Sequence, residues 1–184
     1  MSNHTNKAFI PLNVAVLTVS DTRTEQTDTS GRYLVDSLQE GGHRFEDKLI
    51  VKDDVYQIRA MVSAWIAAPE VQVILITGGT GFTSRDSTPE AVSPLLDKSI
   101  EGYGELFRYL SLRDIGTSTV QSRSFAGLAN NTLVVCMPGS TGACQLAWEG
   151  ILKEQLDARH QPCNFVPHLI ADEPCCDPRP KQIA

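Results

Sequence analysis

The sequence has no hydrophobic run long enough to cross a bilayer, and its first residues, MSNHTNKAFI, lack the features of a signal peptide. We therefore expect a soluble, cytoplasmic protein without a membrane partner. The chain has 184 residues, of which 41% are hydrophobic and 21% charged. That length suits one ordinary domain with its own core and is short for two.

A basic stripe is also absent, and the net charge is −6. This argues against nucleic acid as a general partner, although a local group of donors could still bind a small anion. The five cysteines are odd in number and match no zinc motif. We expect reduced thiols, with Cys136 and Cys144 in the core, and assign no chemistry to Cys175 and Cys176.

What the chain does contain is short apolar runs that alternate with amphipathic stretches. Continuous β-branched runs predict strands buried on both faces, and a more alternating run predicts a further strand. The predicted strands are residues 14–19, 43–51, 71–77 and 132–137. The predicted helices are residues 31–40, 55–68 and 103–113, one that starts at Thr88, and one that follows Ser140.

This alternation predicts an α/β fold, a three-layer sandwich with a mostly parallel central sheet and helices on both faces. We divide the chain into a flexible arm over residues 1–12, a single domain over residues 13–170, and a proline-rich tail over residues 171–184. Residues 116–127 are less regular, and we assign them no element.

Four predicted strands end in unusual polar loops. Ligands of parallel α/β sheets bind beyond the carboxyl ends of the strands, where such loops meet. The clustering therefore predicts one site. The four loops are TVSD (18–21), KDD (52–54), TGGTG (77–81) and PGS (138–140).

The glycine turn is the most informative of these loops. Gly78, Gly79 and Gly81 allow positive φ and close backbone approach, and their N–H groups can form a concavity for an anion such as phosphate. Thr80 adds a hydroxyl donor and Arg85 a positive fork. The turn matches neither the dinucleotide-binding nor the Walker pattern. The alternative is a tight strand–helix turn without a ligand.

Two aspartates flank this turn in the sequence. Taken singly, Asp53 is typical of a turn and Asp86 of a helix N-cap or an arginine partner. Taken together, they suit Mg²⁺ beside a nucleotide, because that ion is usually held by one or two carboxylates with phosphate oxygens and waters.

The first polar loop offers two further groups. Ser20 and Asp21 lie at its start, and Asp28-Thr29-Ser30-Gly31 closes it. Carboxylates and hydroxyls here could recognise a heterocycle with amide-like edges. For the second group, a helix cap at Thr29 or Ser30 is an equally good interpretation.

These motifs, in this order, resemble the molybdopterin-binding family, which includes molybdenum cofactor biosynthesis protein B and the molybdopterin adenylyltransferases. The resemblance covers roughly residues 12 to 170, and the second half of the chain is similar to the protein B branch in particular. The matching segments are TVSD (18–21), DTSG (28–31), VKDD (51–54), ITGGTGFTSRDSTPEA (76–91), MPGS (137–140), IGTSTVQSRSFAG (115–127), PGSTGACQLAWEGI (138–151) and QLDARHQPCNFVPHL (155–169).

The resemblance implies a three-layer α/β fold, a homo-oligomer (a hexamer favoured, with a trimer as the alternative), and a role in molybdenum cofactor biosynthesis. Active members adenylylate molybdopterin with Mg-ATP, so the ligands would be molybdopterin, ATP and Mg²⁺. Carried over, the metal and catalytic residues would be Asp53 and Asp86, with Arg85 as a further catalytic candidate. The binding residues would be Ser20, Asp21, Gly78, Gly79, Thr80, Gly81 and Ser140.

Two other functions fit the same residues. A non-catalytic molybdopterin-binding or carrier protein would use the same loops, although the retained Asp53 and Asp86 favour the adenylyltransferase. The third hypothesis is an unrelated doubly wound protein that binds a flavin mononucleotide or sugar phosphate. The motifs that match along the whole chain argue against it.

Overall fold

The computed structural model describes residues 7–170. The first six residues of the predicted arm and the predicted tail, with Cys175 and Cys176, lie outside this range. The strands are β1 Asn13–Val19, β2 Arg44–Val51, β3 Val73–Thr77, β4 Lys98–Ser99, β5 Phe125–Ala129 and β6 Thr132–Met137. The helices are α1 Thr29–Glu40, α2 Val55–Ala67, α3 Thr88–Val92, α4 Glu101–Ile115, α5 Thr141–Ala147, α6 Lys153–Gln155 and α7 Val166–Leu169.

Short helical turns connect some of these elements. A π-helical segment, Trp148–Leu152, joins α5 to α6. Two 3₁₀ turns follow α3 and α4, at Ser93–Leu95 and Gly116–Gln121. In the described residues, no helix is long and apolar enough to cross a membrane.

The six strands form one sheet in the order β2-β1-β3-β6-β5-β4. Strands β2, β1, β3 and β6 pair in parallel. Strand β5 is antiparallel to both of its neighbours, β6 and β4. Five of the six strands therefore share one direction, and the predicted mostly parallel sheet is confirmed.

The sheet separates two apolar cores, because alternate strand residues point to opposite faces. On one face, Val14 and Leu75 pack with side chains of α1, α4 and α5, such as Phe107. On the other face, Leu17 and Ile74 pack with side chains of α2 and α3. Helices cover both faces, so the three-layer α/β prediction is confirmed.

The antiparallel edge is the part of the sheet that sequence patterns did not reveal. Strand β5 begins in the stretch to which we assigned no element, and it joins β6 through Asn130 and Asn131. These two residues have φ of 48° and 62°, which suits the tight turn of a hairpin and which asparagine tolerates. The Asn-Asn pair between two apolar runs was the available signal.

The predicted core cysteines are confirmed. Cys136 on β6 and Cys144 on α5 are both buried. Burial raises the pKa of the Cys144 thiol to about 11, with a hydrogen bond from Thr77 as an opposing effect. Burial also raises the pKa of the Cys136 thiol. Both thiols are therefore protonated at neutral pH, which fits a packing role.

Candidate functional site

The carboxyl ends of the four parallel strands surround a cavity of about 450 Å³, which we call the strand-end cavity. Its lining combines the loop after β1, the loop after β2, the glycine turn after β3 and the turn after β6. The four polar loops of the sequence thus converge as predicted. Residues of the 3₁₀ turn after α4, such as Ser118 and Gln121, complete its wall.

The glycine turn depends on backbone conformations that other residues rarely adopt. Gly78 has φ of 106° and Gly79 has φ of 62°, whereas Gly81 does not have a positive φ. A Cβ at Gly78 would lie 2.2 Å from the carbonyl oxygen of Val19. At Gly81 the requirement is space, since a Cβ there would lie 2.8 Å from Oδ2 of Asp86.

Thr88 fixes the turn from the start of α3. Its N–H donates to the carbonyl of Gly79 at 2.9 Å, and its hydroxyl donates to the carbonyl of Gly78 at 2.8 Å. Within residues 7–170, the N–H groups of Gly79 and Thr80 have no hydrogen-bond acceptor. The turn therefore offers two rigidly held donors to an anion.

Arg123 is a second support for the turn, and the sequence analysis missed it. Its Nε donates to the carbonyl of Gly81 at 2.8 Å, and its Nη2 donates to the carbonyl of Asp86 at 3.0 Å. Its guanidinium also pairs with Glu90 and lies 5.1 Å from the ring centroid of Phe82. Because Arg123 is about 40 residues away in the chain, only the fold reveals this contact.

Asp53 connects the loop after β2 to the start of α3. Its Oδ1 accepts hydrogen bonds from the N–H and the hydroxyl of Ser87. Its Oδ2 would lie 2.6 Å from a Cβ at Gly79, so this oxygen is next to the turn. Asp53 lines the strand-end cavity, and one carboxylate oxygen remains available to a ligand.

Asp86 also lines the cavity, on the other side of the turn. Its Oδ2 accepts from the N–H of Thr83 at 2.8 Å. Partial burial raises its pKa, but hydrogen bonds from Thr83 and Gly81 and the charge of Arg123 outweigh this effect and lower the pKa overall. Asp86 is therefore ionised at neutral pH. It does not cap α3, whose N-cap residue is Ser87.

Arg85 pairs with Asp21 rather than with Asp86. Its Nε and Nη2 donate to the two carboxylate oxygens of Asp21 at 2.9 and 2.8 Å. The hydrogen bond from Arg85 is the main cause that lowers the pKa of Asp21. Asp21 lines the cavity, while the mostly exposed side chain of Arg85 lies outside its lining.

The two predicted binding serines have different surroundings. Ser20 lines the strand-end cavity, where its Oγ accepts from the N–H groups of Thr22 and Arg23 at 3.2 and 3.1 Å. Ser140 caps α5, and its Oγ accepts from the N–H of Ala143 at 3.2 Å. Ser140 lines a smaller apolar cavity of about 240 Å³ next to the strand-end cavity.

Asp28 closes the loop after β1, and it is the N-cap of α1. The predicted cap at Thr29 or Ser30 is wrong, because the N–H of Gly31 donates to Asp28 Oδ1 at 2.9 Å. Oδ2 of Asp28 accepts from Thr18 at 2.8 Å and pairs with Lys48 at 2.9 Å. Lys48, on β2, is a residue that the sequence analysis did not single out.

A divalent cation fits the arrangement only with help from a ligand. Among residues 7–170, no group of three or more His, Cys, Asp or Glu side chains is placed to hold a metal. Asp53 and Asp86 nevertheless flank the glycine turn on one cavity wall. Two carboxylates with phosphate oxygens and waters are a usual donor set for Mg²⁺, so the residues present fit this ion.

Comparison with known proteins agrees with the geometry. The model of the family described as "Probable molybdopterin binding domain" matches residues 15–158. The chain belongs to this family. The matched residues include the glycine turn, both flanking aspartates and Arg123.

Relatives share most of the chain. The sequence is 62% identical over 161 residues to molybdenum cofactor biosynthesis protein B of Escherichia coli (strain K12), covering 88% of this chain and 95% of that protein. It is 45% identical to the protein of the same name from Bacillus cereus, covering 85% and 93%. A crystal structure of a molybdenum cofactor biosynthesis protein B has a TM-score of 0.79 at 46% identity, covering 82% of this chain and 94% of that one.

Proposed function

We propose that this protein acts in molybdenum cofactor biosynthesis, where it binds molybdopterin and transfers the adenylyl group of ATP to it. The observation that carries the proposal is the glycine turn, which presents two N–H donors without acceptors between Asp53 and Asp86. Membership of the molybdopterin-binding family supports the pterin as the ligand. Since ATP is abundant in the cytoplasm, we place the activity there.

The rigid turn would hold phosphate oxygens. Anions bind well where backbone N–H groups point at them, and Gly79 and Thr80 provide two such groups. Thr88 and Arg123 hold the turn through its carbonyls, so the donors need little reorganisation when the ligand binds.

Asp53 and Asp86 would hold Mg²⁺ together with phosphate oxygens. The ion supplies positive charge that neutralises the phosphates of ATP. The two residues keep their carboxylates in place by hydrogen bonds from Ser87 and Thr83. Because Asp86 has a lowered pKa, its charge is retained across the physiological range.

The reaction needs positioning more than proton transfer. The terminal phosphate of molybdopterin attacks the α-phosphorus of ATP, a new P–O bond forms, and pyrophosphate leaves with the electron pair of the broken bond. A phosphate monoester is already a competent nucleophile at neutral pH. The protein would therefore act by alignment and charge stabilisation. Arg85, held by Asp21 at the cavity margin, is a candidate to stabilise the developing charge.

A non-catalytic molybdopterin carrier is the second candidate. It is favoured by one observation: Asp53 and Asp86 both accept hydrogen bonds from the segment that follows the turn, so each already has a structural role. A carrier would keep both residues for that reason alone.

An adenylylation assay separates the two candidates. Purified protein is incubated with molybdopterin, ATP and Mg²⁺, and adenylylated pterin and pyrophosphate are followed by chromatography. If the protein is the transferase, adenylylated pterin and pyrophosphate should form in equal amounts, and neither should form when EDTA is added. Tight molybdopterin binding without either product would establish the carrier and overturn the transferase.

We also propose that the protein is a homo-oligomer, with a hexamer favoured over a trimer. Support comes from an apolar surface on α4 and the turn after it, where several large side chains are exposed: Leu106, Tyr109, Leu112, Ile115 and Val120. Surfaces of this kind commonly mark protein interfaces. Light scattering after size exclusion measures the mass. A Leu112→Lys variant should lower it, and a monomeric wild-type protein would contradict the proposal.

A further inference from the structure

A second cavity, of about 310 Å³, lies at the antiparallel edge of the sheet. We call it the edge cavity. Its wall is formed by β4, β5, the 3₁₀ turn after α3 and the first half of α4. It is polar on several sides, and it shares Arg123 with the support of the glycine turn. Its polar lining residues are Ser93, Ser99, Glu101, Arg108, Arg123 and Ser124.

Arg108 is the most unusual group in this cavity. It is half-buried, and its Nη1 donates to the carbonyl of Ser124 at 3.0 Å. Within residues 7–170, it forms no ion pair with a carboxylate. A charge removed from water is stabilised when an opposite charge accompanies it. Here the acceptors of Arg108 are the backbone carbonyls of Ser122 and Ser124, and a bound anion would supply the opposite charge.

Gly104 lets α4 come close both to this guanidinium and to the backbone before β5. A Cβ at Gly104, one turn earlier on α4, would lie 3.0 Å from both Nη1 and Nη2 of Arg108. The same Cβ would lie 2.6 Å from the Ser124 carbonyl. A glycine inside a helix costs about 1 kcal/mol relative to alanine. Its presence here allows the arginine to lie flat against the helix at the cavity wall.

Other donors surround the arginine. The exposed hydroxyls of Ser93 and Ser99 line the cavity, and the first turn of α4 adds the positive end of a 15-residue helix. The opposing charges are limited. Glu101 is exposed, and Glu90 is already paired with Arg123. Of the charged side chains in the lining, Arg108 is therefore the half-buried one without an ion-pair partner.

We propose that the edge cavity binds a small oxyanion of the phosphate class, held by Arg108 together with the hydroxyls of Ser93 and Ser99. Arginine is suited to this role, because its planar fork donates two parallel hydrogen bonds to such oxyanions. Orthophosphate and pyrophosphate share this chemistry. Because Arg123 lines this cavity and also holds the glycine turn, the test measures binding alone and leaves Arg123 unchanged.

The test is a titration of the isotope-labelled full-length protein with sodium phosphate at constant ionic strength, followed by TROSY NMR. Saturable shifts are expected at the amides of Ser99, Glu101 and Ser124. Arg108→Gln should weaken binding about tenfold or more, as expected when a charge-assisted hydrogen bond is lost. Arg113→Gln is the matched control, since Arg113 is exposed on the last turn of the same helix.

A second variant keeps the charge but removes the planar fork. Arg108→Lys should weaken binding less than Arg108→Gln, because the ammonium cannot donate two parallel hydrogen bonds, and far-UV circular dichroism checks that each variant is folded. A parallel titration with pyrophosphate identifies the better ligand by its lower Kd. Shifts confined to the glycine turn, or equal affinity in wild type and Arg108→Gln, would overturn the proposal. Should neither variant fold, absence of saturable shifts at the three amides of the wild-type protein would overturn it alone.

Discussion

The turns that follow the neighbouring strands β3 and β6 use their polar groups in different ways. After β6, Ser140 caps α5 with its own hydroxyl, and the carbonyl of Pro138 accepts from Thr77 at 3.1 Å. After β3, no side chain caps α3, and the N–H groups of Gly79 and Thr80 have no acceptor in the described chain. The first turn completes a helix, whereas the second keeps its donors for a ligand.

Two other helices beside the cavity are capped by a side chain, as α5 is. Asp28 caps α1 and Asp54 caps α2, each accepting from the N–H groups of its own helix. Near α3, by contrast, Asp53 accepts from Ser87 across 34 residues, and Asp86 accepts from within the turn. Aspartates that do not serve the nearest helix are therefore better functional candidates than aspartates that do.

The largest expected effect separates these two kinds of aspartate. Asp86→Asn should reduce turnover about 10²- to 10³-fold, because it removes charge beside the phosphates. Molybdopterin binding should be largely kept, since the amide oxygen can still accept from Thr83. Rates of pyrophosphate release and binding titrations measure the two quantities.

Asp54→Asn is the matched control, because asparagine is also a good N-cap and Asp54 does not line the strand-end cavity. Its turnover should stay near that of the wild type. Full activity of Asp86→Asn would show that Asp86 has no role in the reaction. It would also contradict the proposed difference between the turns after β3 and β6.

Glycine substitutions test the backbone side of the comparison. Gly78→Ala combines a φ of 106° with a contact of 2.2 Å to the Val19 carbonyl, so it should lower the free energy of unfolding by about 2 kcal/mol or more. Gly142, in α5, has open space at its Cβ position. Gly142→Ala should change stability by less than about 1 kcal/mol, and in the stabilising direction. Urea denaturation measures the free energy of unfolding of both variants. Equal changes in the two variants would contradict the special backbone requirement of the glycine turn.

Asp28, the N-cap of α1, should make the free energy of unfolding depend on pH. Burial raises the pKa of Asp28, but Lys48, Gly31 and Thr18 outweigh this effect and lower it below 3.8. A carboxyl with a lowered pKa stabilises the fold above the pKa of the unfolded chain. This contribution is lost as the pH falls through the folded-state pKa.

Asp28→Asn should therefore lower the free energy of unfolding by about 2 kcal/mol at pH 7, and the difference should shrink below pH 3.8. Glu25→Gln is the control, because Glu25 pairs with the same Lys48 but is 69% exposed. It should cost less than about 1 kcal/mol. A difference that stays constant between pH 7 and pH 3 would show that the Asp28 charge does not contribute.

The smallest expected effect belongs to the turn after β6. Ser140→Ala removes the cap of α5 and should cost about 1 kcal/mol of stability. Because Ser140 lies outside the strand-end cavity, adenylylation should change little. A loss of activity as large as that of Asp86→Asn would place Ser140 in the functional site and make the two turns alike.

Sequence patterns predicted the parallel half of the molecule well. Strand β6 was predicted at its observed bounds, and β1, β2 and β3 within two residues. For β1, β3 and β6 the reason is that continuous β-branched runs have few alternatives. The antiparallel edge was missed because β5 begins with Phe-Ala-Gly and β4 has only two residues. Such short segments become strands only when a neighbouring strand pairs with them.

The sequence by itself determined the class of fold, the glycine turn and the convergence of four polar loops, since each depends on local propensity and on the common direction of parallel strands. The tertiary structure alone decided which side chains meet: Arg85 with Asp21, Lys48 with Asp28, and Arg123 with the glycine turn. These pairs are distant in the chain, and residue spacing carries no information about partners that only folding brings within hydrogen-bond distance.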